Sequence, residues 1–247
     1  MGWLRKARSA CLETSGTCED LSVTIEVRRA HDRFVTRADG RTTWHSFSFG
    51  PHYDPANIGF GALTAHNDEQ LPAGTGYPDH PHRDVEIVTV VLEGALRHTD
   101  SEGRSGVLGP GQVSRTSAGA GIVHSETTEP GVRTRFVQAW LRPDEPGGAS
   151  SYAVMQVGRP DALTEVVGPS GTLDVGVSGA RLSLAHASPG RITLPDAPLL
   201  HVFLPDATAT LGDRELAPGD AARLTDEGGR DLVVEAPGLI LVWSQAR

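Results

Sequence analysis

The sequence predicts an all-β fold whose short strands close into a sandwich or barrel, and three observations predict it. Apolar and polar residues alternate with period two in run after run, the pattern of half-buried strands. The 247 residues include 29 Gly and 17 Pro, which interrupt the chain too often for long helices. The runs recur at turn-spaced intervals, as in all-β sandwiches and barrels.

The elements follow in order. Residues 1–20, MGWLRKARSACLETSGTCED, have no apolar run of seven to follow their charges, so they read as a loose extension and not as an export signal. Cys11 and Cys18 lie in this polar leader as incidental thiols, and two cysteines build neither a disulfide framework nor a Cys-rich zinc site. From Leu21 onward Val23, Ile25 and Val27 alternate with Thr24, Glu26 and Arg28, predicting the first strand. Further strands are predicted at Trp44–Phe49, Val85–Leu92, Phe136–Leu141, Leu182–His186, Leu199–Leu204 and Leu232–Glu235. The stretches between them, such as DSEGRSG, LGPGQ and PDEPGGASS, carry turn chemistry. Only Pro160–Val166 has the look of a short helix. The longest apolar runs, Ile87–Leu92 and Leu239–Trp243, are strand-length and too short for a membrane span. A reducing, cytoplasmic compartment is expected.

An internal echo divides the chain in two. Leu108-Gly-Pro-Gly-Gln-Val-Ser-Arg115 is answered, 108 residues later, by Leu216-Ala-Pro-Gly-Asp-Ala-Ala-Arg223. Pro146–Gly148 is the expected linker between a unit at 21–145 and a second at 150–247. The halves differ in chemistry, because most histidines lie in the first and only His186 and His201 lie in the second. The second is therefore expected to be a degenerate barrel without metal, filled by residues such as Leu182, Leu184, Val202, Leu204 and Ile240. The formal charge of −9 repels phosphate backbones and argues against direct nucleic-acid contact.

Two short segments concentrate metal-ligand chemistry: Asp79-His-Pro-His-Arg-Asp84 and Val123-His-Ser-Glu126. His80 and His82 are two apart, so on a strand both side chains share a face; His124 and Glu126 repeat the arrangement. Facing each other in one barrel, they would bring three imidazoles and a carboxylate to one point, a set that suits iron, copper, nickel, manganese or zinc and leaves positions open. Glu86 shares the parity of His80 and His82, so it could ligate or support an imidazole, but Glu126 ranks first. His45 reads as packed near the core, His52 and His66 as loop residues that could rim a pocket, and His98 as a surface residue. No GxSxG, GxxxxGK[ST] or GxGxxG setting occurs, removing common hydrolase, P-loop and Rossmann readings.

The run HPHRDVEIVTVVLEGALRHTDSEGRSGVLGPGQVSRTSAGAGIVHSE, with TTWHSFSFGPHYDPANIGFGAL upstream, resembles the pirin family, a branch of the cupin superfamily with two β-barrels per chain. The resemblance covers roughly Ile25 to Trp140. It implies two tandem cupin-type barrels (double-stranded β-helix or jelly-roll), with one divalent transition metal in the first, usually iron, held at His80, His82, His124 and Glu126. Asp84 after the Arg resembles the bacterial members with quercetin 2,3-dioxygenase activity, while Val85 and Val90 replace bulkier residues and bear on pocket shape. The implied activity is cleavage of quercetin-like flavonols by dioxygen, with a small aromatic substrate and Glu126 as the catalytic base. The alternative is a non-enzymatic, metal-bearing regulatory or redox-sensing protein that binds a protein partner, as mammalian members are described.

Overall fold

Most of these alternating runs form strands in the computed structural model, which describes residues 24–171 and 173–247. The leader, with Cys11 and Cys18, lies outside the described residues. The first half contains β1 (Thr24–Arg28), β2 (Phe34–Ala38), β3 (Arg41–His45), β4 (Leu63–Leu71), β5 (Gly76–His82) and β6 (Glu86–Glu93). It continues with β7 (Leu96–Asp100), β8 (Ser105–Leu108), β9 (Gln112–Ser117), β10 (Ile122–Thr128), β11 (Thr134–Leu141) and β12 (Ser151–Gln156). The second half contains β13 (Thr164–Val167), β14 (Arg181–Ala187), β15 (Gly190–Thr193), β16 (Leu199–Phe203) and β17 (Thr208–Leu211). It ends with β18 (Arg214–Leu216), β19 (Ala221–Thr225), β20 (Asp231–Ala236) and β21 (Gly238–Gln245). Among the described residues, helix is limited to one 3-10 turn at Ala30–Asp32, and no helix is long and apolar enough to cross a membrane.

Two expectations need correction. Pro160–Val166 is not helical: Thr164–Val167 is the strand β13, paired with β14 through Thr164↔Leu184. Seven residues are too few to nucleate a helix unaided, and the Val166–Val167 pair favours a ladder. The run expected at Trp44–Phe49 is strand only to His45; Ser46 to Phe49 enter the loop that leads to β4, in which Gly50 has a φ of 56°, open mainly to glycine.

The strands form four sheets. The first barrel pairs a seven-stranded sheet, β12-β9-β6-β11-β4-β3-β2, with a four-stranded sheet, β5-β10-β7-β8. The second repeats the plan with β1-β19-β16-β21-β14-β13 and β15-β20-β17-β18. The internal echo marks equivalent corners. In both copies Pro-Gly carries the chain from the small sheet to the large one, β8 to β9 and β18 to β19, and Gly111 and Gly219 have φ of 82° and 85°.

The division at 21–145 and 150–247 stands as a proposal about folding units, because hydrogen bonding crosses it twice. β1 joins the second barrel beside β19, with Ile25↔Leu224, and β12 joins the first beside β9, with Tyr152↔Thr116.

The interiors differ in kind. Val202, Leu204 and Ile240 lie in the second barrel's core with Leu200, Leu211, Leu224 and Leu232, all fully buried. Each such side chain contributes roughly 1.5–3 kcal/mol, and they fill the space. Leu182 and Leu184 instead pack in the seam between the barrels, against Val88, Val90, Val137 and Ala139 of the first. The first barrel is apolar only at one end, around Leu71, Val91, Leu96, Leu108 and Phe136. Elsewhere it buries Asn67, Glu69, His124, Glu126 and Gln138, and polar groups buried this deeply need partners.

Candidate metal centre

β5 and β10 run antiparallel, with His80 opposite His124 and His82 opposite Ile122. Their pleat turns the three imidazoles to one point. The ring centroids lie 4.5–4.9 Å apart, and one nitrogen from each ring falls within 4.8 Å of the others. β5 carries one extra residue here: Pro78 and Asp79 face Ser125 alone, so Tyr77 comes opposite Glu126. Proline suits such a bulge because it has no N–H to leave unpaired.

The hydrogen bonds orient the rings. Nδ1 of His80 donates to the Pro78 carbonyl at 2.8 Å, which leaves the Nε2 lone pair free. Nε2 of His98 donates to Asp100 at 3.2 Å, so its Nδ1 accepts from Nδ1 of His124 at 3.4 Å, and the lone pair of His124 also falls on Nε2. His98 is buried, stacked face to face on Tyr152 of β12 at 4.0 Å. Nε2 of His82 is buried with no partner. Burial, reinforced by the neighbouring imidazoles, lowers His82 to about 4 and His124 to about 3, so both are neutral near pH 7 and can donate lone pairs.

Three free lone pairs meeting at one point suit a divalent metal. The spacing agrees: two nitrogens about 2.1 Å from an ion and at right angles would be about 3.0 Å apart. Nε2 of His80 and Nε2 of His124 are 3.0 Å apart.

Glu126 does not join the cluster of three. Both its oxygens accept from Nε2 of Gln138, at 3.0 and 2.9 Å, and Oε1 of Gln138 accepts from Nε1 of Trp140 at 2.9 Å. This chain fixes which way the Gln138 amide points. Burial raises Glu126 to about 7, the Gln138 bond opposes that rise, and nearby Glu69 adds to it. Glu69, also raised to about 7 by burial, accepts from Thr43 Oγ1 at 2.5 Å and Tyr77 Oη at 2.7 Å. Glu126, Glu69, Tyr77 and His80 face a cavity of about 300 Å³, whose wall includes Asn67, Gln138 and the rings of Phe49 and Trp140, 5.1 Å apart.

Glu86 lies elsewhere. Asp84, with φ of 51°, breaks the alternation between β5 and β6, which belong to different sheets. The Glu86 carboxylate accepts from Ser117 Oγ at 2.6 Å, away from the imidazoles. Two other readings also change. His98 is not a surface residue but sits under His124, and His66 lies in β4, fully buried, not in a loop. His45 is packed as expected, bridging Asn67 and Thr36 at 3.0 and 2.8 Å. The residues beside the cluster and its cavity that the motifs did not reveal are His98, Glu69, Tyr77, Gln138 and Trp140. A signal existed for two of them: Gln138 is a lone polar residue within FVQAW, and His98 with Asp100 repeats the two-residue spacing.

The chain is similar in sequence and fold to known proteins. The pirin family model matches residues 26–141. A Mycobacterium tuberculosis protein named "Putative quercetin 2,3-dioxygenase" is 44% identical over 236 residues, covering 90% of this chain and 96% of the relative. Escherichia coli quercetin 2,3-dioxygenase is 41% identical over 132 residues, covering 52% of this chain and 56% of its own. The crystal structure of the bacterial pirin YhhW from Escherichia coli in complex with nickel(II) superposes with a TM-score of 0.85 at 27% identity, covering 90% of this chain and 99% of that one. Sequence and fold agree across nine-tenths of the chain, and on that ground it belongs to the pirin family.

Proposed function

We propose that the chain is a metal-dependent dioxygenase of the pirin type, acting with dioxygen on quercetin-like flavonols. The observation that carries this reading is the cavity: His80 borders a space of about 300 Å³ walled by aromatic rings and by a buried carboxylate. That volume is at the small end of ligand pockets, and a protein acting only as a binding partner needs no such space beside its metal. His80, His82 and His124 would hold the ion, with Glu126 completing the set. Iron is the first choice, as in the family, and manganese, nickel, copper or zinc suit the same donors. When bound, a divalent metal supplies Lewis acidity, lowering the pKa of a hydroxyl beside it.

The chain's own residues supply the rest. Phe49 and Trp140 offer a T-shaped pair of apolar faces for a flat ring system. Glu126, a buried carboxylate facing the cavity, is placed to accept a substrate hydroxyl proton, help that is commonly worth about 10²–10⁴ in rate. Gln138 holds the carboxylate in place with its amide, and Trp140 holds Gln138, so the proton acceptor and the aromatic wall are mechanically linked. Thr43 and Tyr77 both donate to Oε2 of Glu69 and occupy it.

The test is oxygen uptake with quercetin by metal-loaded protein. Glu126→Gln should lose activity about 10²-fold or more while losing far less metal, whereas His80→Ala should lose both together. Absence of oxygen uptake with any flavonol by fully metal-loaded protein would overturn the proposal.

A further inference from the structure

The cavity beside the imidazole cluster carries a second polar pair that the proposed reaction leaves unused. One face of the large sheet sets Thr43 and His45 of β3 beside Glu69 and Asn67 of β4, and Asn67 in turn beside Gln138 of β11. Gln138 is engaged with Glu126. Asn67 and Glu69 border the same cavity, although only 3% and 4% of their surfaces are exposed.

Bonds made away from the cavity fix how each side chain presents itself. Oδ1 of Asn67 accepts from Nδ1 of His45 at 3.0 Å, and Nε2 of His45 accepts from the Thr36 hydroxyl at 2.8 Å. That hydroxyl accepts in turn from Nε2 of His52 at 3.2 Å. Donors and acceptors follow one direction along this chain, which turns Nδ2 of Asn67 away from His45. Oε2 of Glu69 takes the hydroxyls of Thr43 and Tyr77. Nearby Arg41 donates to the Gly76 carbonyl and to Asp39 and gives Glu69 no bond. Oε1 of Glu69 and Nδ2 of Asn67 thus have no hydrogen-bond partner among the described residues. Neither belongs to the unpartnered atoms that burial seals off, such as the ring nitrogens of His66 and His201, so each keeps surface that an occupant of the cavity can reach.

An acceptor and a donor two residues apart on one strand face are matched by a group that donates and accepts at once, and a hydroxyl is that group. A carboxylate is disfavoured, because Glu69 and Glu126 both border the space and repel it. A ring without a hydroxyl strips water from both atoms and returns no bond. We propose that Asn67 and Glu69 set substrate specificity by binding a flavonol hydroxyl other than the one presented to Glu126, with Oε1 of Glu69 accepting from it and Nδ2 of Asn67 donating to it. The inference rests on the flavonol reading and deepens it: the substrate is a neutral polyphenol, and a flavonol with its 3-hydroxyl alone is a poor one. Sites built to bond a hydroxyl reject analogues that lack it more strongly than apolar pockets reject a missing methylene.

The test is calorimetric titration of the nickel-loaded full chain under nitrogen, where nothing turns over, with quercetin and with 3-hydroxyflavone. Oxygen uptake in air runs alongside. The wild type should bind quercetin about tenfold or more tightly. Glu69→Gln is nearly isosteric, and its carbonyl can still accept from Thr43 and Tyr77, so the unfolding midpoint should hardly move. Its amide, however, puts a donor where Oε1 accepted, so the preference for quercetin should shrink about tenfold. A Glu69 that only ties strands together would shift the midpoint and leave the preference alone. Equal affinities in the wild type, no binding of either flavonol, or an unchanged preference in folded Glu69→Gln overturns the proposal. Oxygen uptake judges the reaction separately: a preference that depends on Glu69 without uptake removes the dioxygenase and keeps the polar pair, and uptake with an unchanged preference does the reverse.

Discussion

Replacing His98 with Phe should loosen the metal without unfolding the barrel. His98 bridges Asp100 and His124, and these two contacts set which nitrogen of His124 carries the lone pair. Phenylalanine keeps the stacked contact on Tyr152, now 4.0 Å between centroids, but removes both ring nitrogens. Asp100 is not orphaned, because Arg104 Nε at 2.7 Å and the amides of Glu102 and Arg104 at 3.0 and 3.1 Å still bond to it. The change in folding stability should therefore stay within about 1 kcal/mol. His124, freed to rotate and to change tautomer, must be reordered by the ion itself. Partners of this kind are worth 10- to 100-fold in metal affinity, about 1.4–2.7 kcal/mol. Competition against a chelator with nickel(II) as the probe measures this directly, and the unfolding midpoint of the metal-free variant checks the fold. Unchanged nickel affinity in a folded His98→Phe protein would refute the orienting role.

Two further predictions concern the seam. His66 is buried and held at about 3 by desolvation first and then by Arg33 and Arg223, against 6.5 when unfolded, so it opposes acid: its contribution to stability is full above pH 6.5 and is lost as pH falls toward 3. At pH 5 the loss is about 2 kcal/mol, and His66→Leu should narrow the difference in unfolding free energy between pH 7 and pH 5 by that amount, read from denaturant titrations; an unchanged difference contradicts the reading. Arg135→Met should cost about 3–5 kcal/mol in unfolding free energy, because Asp68 stays buried and keeps only Arg33 at 3.8 Å, and a loss below about 1 kcal/mol would show that the ion pair does not hold the seam.

That His80 and His82 share a face, and His124 and Glu126 another, was legible in the sequence because it depends on strand period alone. His80 and His82, or His124 and Glu126, share a face whatever strand lies beside them. Glu86 misled for the same reason in reverse: parity was carried through Asp84, where a left-handed residue ends one strand and the next begins in another sheet. His98 and Gln138 act through neighbours on other strands, His98 below His124 and Gln138 against Glu126, and pairing of that kind has no local signal. The contact of His66 with His201 was hidden likewise, since the two lie 135 positions apart in chain order and meet only when the two large sheets pack. The Pro-Gly corners were legible because a left-handed turn residue leaves a mark in the sequence itself, here Gly111 and Gly219.

The exchange of β1 and β12 has a consequence for how the protein is made. β1 leaves the ribosome before the other described strands, but its partner β19 lies about 200 residues later. At about 5–20 residues per second, β1 waits roughly 10–40 s with its backbone edge unpaired. During that interval the nascent first barrel can close around β4, β6, β9 and β11. It can then take up β12 within seconds. The second barrel is different: it cannot add its outermost strand on that side until β19 has been made, and then only by calling back β1. Synthesis thus imposes an order, first barrel before second, on a fold whose two barrels follow one plan.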